Sequence, residues 1–347
     1  AWGHNVGGRT NVPSPNSGFI AVAAGWLHSL GLKTDGSVVG WGSNYYAQTN
    51  VPSPNTGFIA VAAGWYHSLG LKADGSIVAW GYNVDGETDV PSPNADFIGI
   101  AAGLYHSLAL KADGSILGWG SNYWGQTDVP APNTGFIAVA AGGWHSLGLK
   151  ADGSIVAWGY KHPGITDVPA PNADFVAVSG GDFHSLALKA DGTIVGWGNN
   201  GVGQTDVPSP NTGFIAIAAG GEHGLGLKAD GSILAWGCGG AYDYGQCNPP
   251  APNTGFIATA AGALYSLGLK GDGSLVAWGC EEDYYYVLCN VPAPNTSFIA
   301  IAAGRYHSLG LKADGSIVAW GDNYWGQTNV LAPNAGFIAV AAGWFHS

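Results

Sequence analysis

Charge is scarce in this chain: only 10% of its 347 residues are Asp, Glu, Lys or Arg, and the 11 basic side chains are scattered with no basic run. Affinity for nucleic acid comes from clustered Lys and Arg that displace counterions from phosphates, so DNA and RNA are not expected partners. Methionine is absent. Long apolar runs are absent too; none approaches the roughly 18 residues that cross a bilayer, and no membrane span is expected. Ala1 opens inside the repeat pattern with no charged-then-apolar leader, which reads as a mature or trimmed chain. Glutamate occurs only at Glu87, Glu222, Glu281 and Glu282. There is no Gly-x-Ser-x-Gly elbow, no phosphate loop and no Asp-x-Asp-x-Asp calcium loop. These gaps remove the familiar catalytic and cofactor constellations. The expectation is a chain that is not an enzyme and uses no cofactor or metal.

Cysteine is limited to Cys238, Cys247, Cys280 and Cys289. Four cysteines allow three connectivities. The two pairs occupy equivalent places in successive units, at the base of a loop that is longer there than in its counterparts, so local bridges Cys238 to Cys247 and Cys280 to Cys289 follow. A four-cysteine zinc site is the rival, but eight intervening residues are not a zinc spacing. Disulfides point to an oxidising compartment, extracellular or periplasmic.

What the chain has in excess is glycine, 58 residues of it, and repetition. Trp-Gly pairs head nine units at Trp2, Trp41, Trp80, Trp119, Trp158, Trp197, Trp236, Trp278 and Trp320, spaced by 39 residues six times and then by 42 twice. Such a period marks stacked supersecondary modules, which form one body of any length, here a single domain over residues 1–347. Within a unit, Phe58-Ile59-Ala60-Val61-Ala62-Ala63, His67-Ser68-Leu69-Gly70-Leu71-Lys72 and Ile77-Val78-Ala79-Trp80 are short apolar or alternating runs that read as strands. Asp74-Gly75 predicts a tight hairpin with a primed turn. Gln48-Thr49-Asn50-Val51 predicts a weaker fourth strand, ended by Pro52-Ser53-Pro54-Asn55. Four antiparallel strands per unit describe a blade, and the fold expected is all-β, a closed β-propeller of four-stranded blades. Nine blades are favoured; seven or eight blades, a fragment of a longer array and a solenoid are the alternatives. The small residues of Ala60 to Gly64 suit the crowded axis.

Units such as Ala102-Gly103-Leu104-Tyr105-His106-Ser107-Leu108-Ala109-Leu110-Lys111 followed by Gly118-Trp119-Gly120 resemble the repeat of the regulator of chromosome condensation family. The compact period and the run from Trp119 through Tyr123-Trp124-Gly125-Gln126 to Pro130 are most similar to the bacterial β-lactamase-inhibitory propellers of that superfamily. Those relatives have seven blades, and the GTPase-exchange activity of eukaryotic members depends on insertions not found in this chain. In the inhibitory propellers, aromatic loops of one face, just before the position equivalent to His, grip a partner enzyme. That resemblance implicates Trp26, Trp65, Tyr66, Tyr105, Trp144, Phe183 and Tyr306.

The residues themselves point the same way. Alternating connections put the first-to-second and third-to-fourth loops of every unit on one face, and all the variable positions fall there. Pairs such as Trp26-Leu27, Trp65-Tyr66, Leu104-Tyr105, Gly143-Trp144 and Asp182-Phe183 precede His, while Tyr46, Trp124 and Trp325 sit in the other loop. Rigid rings on exposed loops are the material of binding hot spots. The reading is a secreted binding scaffold that recognises a protein, in the manner of an inhibitor, or a glycan. A structural, self-associating cell-surface or filament module is the alternative. One His recurs per unit, from His28 to His346, with Tyr265 in the remaining slot, and each is expected to hydrogen-bond within its own blade.

Overall fold

The computed structural model describes residues 19–26, 28–161, 164–239, 243–280, 286–304 and 307–321. They form eight three-stranded antiparallel sheets, each with its strands in chain order. In the second sheet the inner strand is Phe58–Ala63, the middle strand His67–Lys72 and the outer strand Ile77–Gly81. The inner pairing runs from Phe58 opposite Lys72 to Ala63 opposite Ser68, with a bulge between Phe58 and Ala60. Every inner strand carries the same bulge, so its second residue falls out of the ladder and faces solvent.

Three expectations are corrected here. The closed nine-bladed propeller of four-stranded blades gives way to eight three-stranded blades, and no sheet closes on itself among the described residues. Trp2 and the Phe337 run, which would have supplied a ninth blade, lie outside those residues. The fourth strand is a turn. Ala47 has φ 63°, and the amides of Asn50 and Val51 bond locally to the carbonyls of Ala47 and Thr49. The Gln48 carbonyl is taken by side chains of the next blade, Ser68 Oγ and Trp80 Nε1, both at 2.8 Å. A segment whose backbone groups are spent in these ways has none left for a ladder, and Pro52 has no amide to offer. The hairpin also differs from a primed two-residue turn. Gly75 alone takes positive φ, at 79°, and Lys72 N bonds Ser76 O at 2.8 Å, which is a three-residue loop with glycine at the left-handed position. Asp74 Oδ1 fastens it by accepting from Ser76 N and Oγ at 2.9 and 2.6 Å.

The core lies between blades rather than inside one. Leu69, Leu71 and Ile77 of the second blade pack with Phe97 and Trp119 of the third, and the same combination recurs from Leu30 to Trp278. Each blade thus buries its apolar side chains only when its neighbour is present, the energetic basis of a repeat protein. Asn55 ties the linker to the preceding blade by bonding both Val38 N and Val38 O at 2.7 Å. Lys72 lies 4.9 Å over the Phe58 ring and donates to Pro54 O at 3.1 Å.

Five histidine side chains bond across to the next blade, where the sequence predicts bonds within their own. His28 Nε2 lies 2.8 Å from Ser68 Oγ, and His67, His106, His145 and His223 reach Ser107, Ser146, Ser185 and Ser266 of the next blade in the same way. Because Ser68 gives its proton to Gln48 O, His28 donates through Nε2. Where Tyr265 replaces His, its hydroxyl donates to His307 O and accepts from Ser308 Oγ at 3.0 Å. These links cross the blade interfaces, which no pattern within a single unit could reveal.

Candidate functional site

All eight blades send the loop after the inner strand to one end of the structure, where they surround a depression of about 340 Å³. Its wall is largely glycine and alanine, from Gly25 and Gly64 to Gly304, and the first residue of seven variable pairs, Trp26, Trp65, Leu104, Gly143, Asp182, Gly221 and Ala263, lines it. Glycine is required at Gly64, where a Cβ would stand 2.2 Å from Cε1 of His67. Among the described residues, the second members of these pairs, such as Tyr66, Tyr105 and Trp144, lie outside the lining set.

Over the first four blades the rings join. Trp26 stacks on Trp65 at 4.8 Å between centroids. Trp65 meets Tyr105 edge-on at 5.2 Å, and Tyr105 reaches Trp144 at 6.0 Å. Tyr66 touches Trp26 at 5.2 Å and Tyr46 at 5.1 Å. Tyr46 in turn contacts Tyr45 at 5.0 Å and Tyr82 at 4.9 Å. A second group, Tyr123, Trp124 and Tyr160, is held by contacts of 4.8 and 4.9 Å. Tyr45 and Tyr123 are 85% and 82% exposed, so both groups open to solvent. Phe183 is 41% exposed on the fifth blade. Tyr306 and Trp325 lie outside the described residues.

The outer-loop rings are positioned by glutamines beneath them. Gln48 Oε1 accepts from Tyr46 N at 2.9 Å, and Gln126 Oε1 accepts from Trp124 N at 2.8 Å. In the intervening blade Glu87 takes this role, accepting from Asp85 N at 3.0 Å. Burial raises the Glu87 carboxyl above its ordinary value. Burial, reinforced by its tyrosine neighbours, pushes the Tyr105 phenol up to about 12, and Tyr82 is raised for the same first reason, so both remain neutral donors at physiological pH. Tyr82, Tyr160 and the supporting glutamines were not singled out from the sequence. The signal was there, in Tyr two places after Trp80 and Trp158 and in Gln two places after Tyr46 and Trp124.

The His and Ser pairs have the spacing of a nucleophile and its base, but they are buried, and Ser68 already donates to a carbonyl. They hold blades together and offer no reactive group to solvent. Among the described residues no three His, Cys, Asp or Glu side chains are grouped to hold a metal. The two disulfides are Cys238 to Cys247 and Cys280 to Cys289, with Cα separations of 5.9 and 6.0 Å.

Blades sewn together around an axial depression, with side-chain variety confined to the loops at one end, define a repeat protein of the β-propeller class. The family model described as the regulator of chromosome condensation (RCC1) repeat matches residues 19–48, 58–87, 97–126, 136–160, 175–204, 214–246 and 298–327. The chain belongs to that family. Comparison with curated proteins gives no match. Among solved structures, Prp20p from Saccharomyces cerevisiae is similar with a TM-score of 0.55 and 19% identity over 74% of this chain and 84% of that one. The CRINKLY ectodomain of the receptor kinase ACR4 from Arabidopsis thaliana gives 0.54 and 23% over 88% and 96%. The ectodomain of the receptor kinase CR4 from Physcomitrella patens gives 0.55 and 22% over 88% and 74%. At these identities the likeness is one of fold. Among the described residues no helix is long and apolar enough to cross a membrane.

Proposed function

We propose that this chain is a nonenzymatic scaffold that captures a protein ligand on its aromatic face. The observation that carries the reading is the continuous ring cluster from Trp26 to Trp144, built from loop positions that differ between units. Purely structural positions, such as the Leu of the middle strand and the Trp of each Trp-Gly pair, stay the same in unit after unit. Large rings held by their neighbours and by glutamine clamps lose little entropy on binding, which is how such surfaces gain affinity. Prp20p, a relative in fold, is described as binding Gsp1p and histones, and capture of a protein by this chain is in keeping with that habit. A partner held in the manner of an inhibitor is the narrower form of the reading, and a glycan stacked on the same rings is its rival. The two disulfides support an oxidising location, extracellular or periplasmic. The test is a pull-down of secreted proteins and a glycan array, run side by side on the wild type and the Trp65→Ala, Trp144→Ala double variant. A protein captured by the wild type and lost by the folded variant supports the proposal. Capture that survives the variant, or of glycans alone, refutes it.

A further inference from the structure

The opposite face, formed by the hairpins and linkers, has an apolar feature that folding does not use. At the bulge of every inner strand the residue after Phe is β-branched and aliphatic, and from Ile20 to Ile299 each of the eight blades leaves it between 42% and 60% exposed. Single exposed aliphatics are ordinary, but the same one repeated around a common axis is a ring. The far ends of these same strands surround one depression, which establishes the axis. Ile257 Cγ2 lies 3.5 Å from where a side chain on Gly271 would begin, which sets the residue beside the hairpin rather than inside the blade.

Charge says what can cover this ring. Each hairpin sets one Lys two residues before one Asp, as in Lys72 and Asp74, so the face carries both signs in near balance. On the aromatic face Lys161 is the one cation among the described residues, against acids that include Asp85, Asp89, Asp128 and Asp206. Two aromatic faces repel each other. Two hairpin faces do not, and each offers the other an apolar ring inside a mixed-charge rim, as a self-complementary interface requires. We infer that the hairpin face is a self-association surface, through which two copies of this chain meet face to face. The pairing is isologous, closes at two, and leaves both aromatic faces pointing outward for ligand.

Sedimentation velocity of the whole chain over a concentration series tests this without any ligand, so its outcome is independent of the binding proposal. The expected result is a monomer to dimer equilibrium, weakened at least tenfold by Ile98→Ser, Ile137→Ser and Ile215→Ser together and unchanged by Tyr123→Ser with Trp124→Ser. Hydrogen exchange of the unmodified chain gives a reading that does not depend on any variant folding. Amides around the bulges at 59, 98 and 137 slow as concentration rises, whereas those at 45 and 123 do not. A monomer at every concentration, association undiminished in the folded triple variant, growth beyond the dimer, or protection confined to the aromatic loops overturns the inference.

Discussion

The two faces of this molecule are made by the same repeat and are governed by different constraints. On the hairpin face nearly every side chain has a task in the fold: Asn55 binds the preceding outer strand, Asp74 fastens its turn, and Lys72 covers Phe58. Those tasks recur in unit after unit, and so do the residues. On the opposite face the folding work is done below the surface, by the His-Ser links and by the carbonyl that receives Trp Nε1. The loop residues above are released from structural duty, and there the units diverge into Trp65-Tyr66, Gly143-Trp144 or Gly221-Glu222. In this repeat protein identity between units follows folding tasks, and divergence marks the loops where we propose recognition. The exposed Ile ring is the informative exception, since it is identical in nearly every unit and yet is not buried.

The largest effect that would sharpen this contrast is on binding. Replacing Trp65 and Trp144 with Ala is expected to weaken ligand capture about a thousandfold, at roughly 2 kcal/mol for each hot-spot ring, with the melting temperature little changed. Titration calorimetry measures it, and a loss below tenfold would break the contrast. Acid comes next, acting on the interfaces that both faces share. Burial holds His67, His145 and His184 at about 4 and His106 and His223 at about 3. In the unfolded chain these groups titrate near 6.5. The unfolded state therefore takes up protons first, and stability is full above pH 6.5 and falls as pH drops from there toward about 3 to 4. Denaturant titrations at pH 7, 5 and 4 should give steadily lower midpoints; a flat profile contradicts the assignment.

A smaller effect separates one interface from the others. His106→Ala removes the imidazole that bonds Ser146 Oγ, leaving the hydroxyl only its bond to Gln126 O, and is expected to cost about 1 kcal/mol. His184 faces Gly224 where the other blades offer Ser, so His184→Ala should cost less. Gly224→Ser is not a repair, because its Cβ would stand 2.5 Å from Trp236 Cε2. Equal losses at His106 and His184 in chemical unfolding would show that the hydroxyl contributes nothing. Smallest of all, Glu87→Gln should slightly stabilise the fold at neutral pH, because burial disfavours the charged carboxylate. The gain should fade in acid as Glu87 takes up its proton, and a gain that persists in acid would assign it to packing instead.

Three strands per unit, the hairpin at each Asp-Gly, the disulfide pairing and the face carrying the variable loops were all legible, because each depends on residues close in sequence. The fourth strand misled. Gln48 to Val51 has a strand-like pattern, but Trp80, 32 residues later, captures the Gln48 carbonyl and makes the segment an interface turn. His28 misled for the same reason, its partner Ser68 lying 40 residues away. In the candidate site, Trp65, Tyr66, Tyr105 and Trp144 were singled out by their variation, and the structure brings their rings together. Tyr82 joined them only once the structure placed it 4.9 Å from Tyr46.

The most direct test is one binding titration with three proteins: the wild type, the Trp65→Ala, Trp144→Ala variant, and the Ile98→Ser, Ile137→Ser variant of the hairpin face. Loss of affinity in the aromatic variant alone is the result this account requires. Full affinity in the aromatic variant with loss in the Ile variant would place recognition on the hairpin face and contradict it.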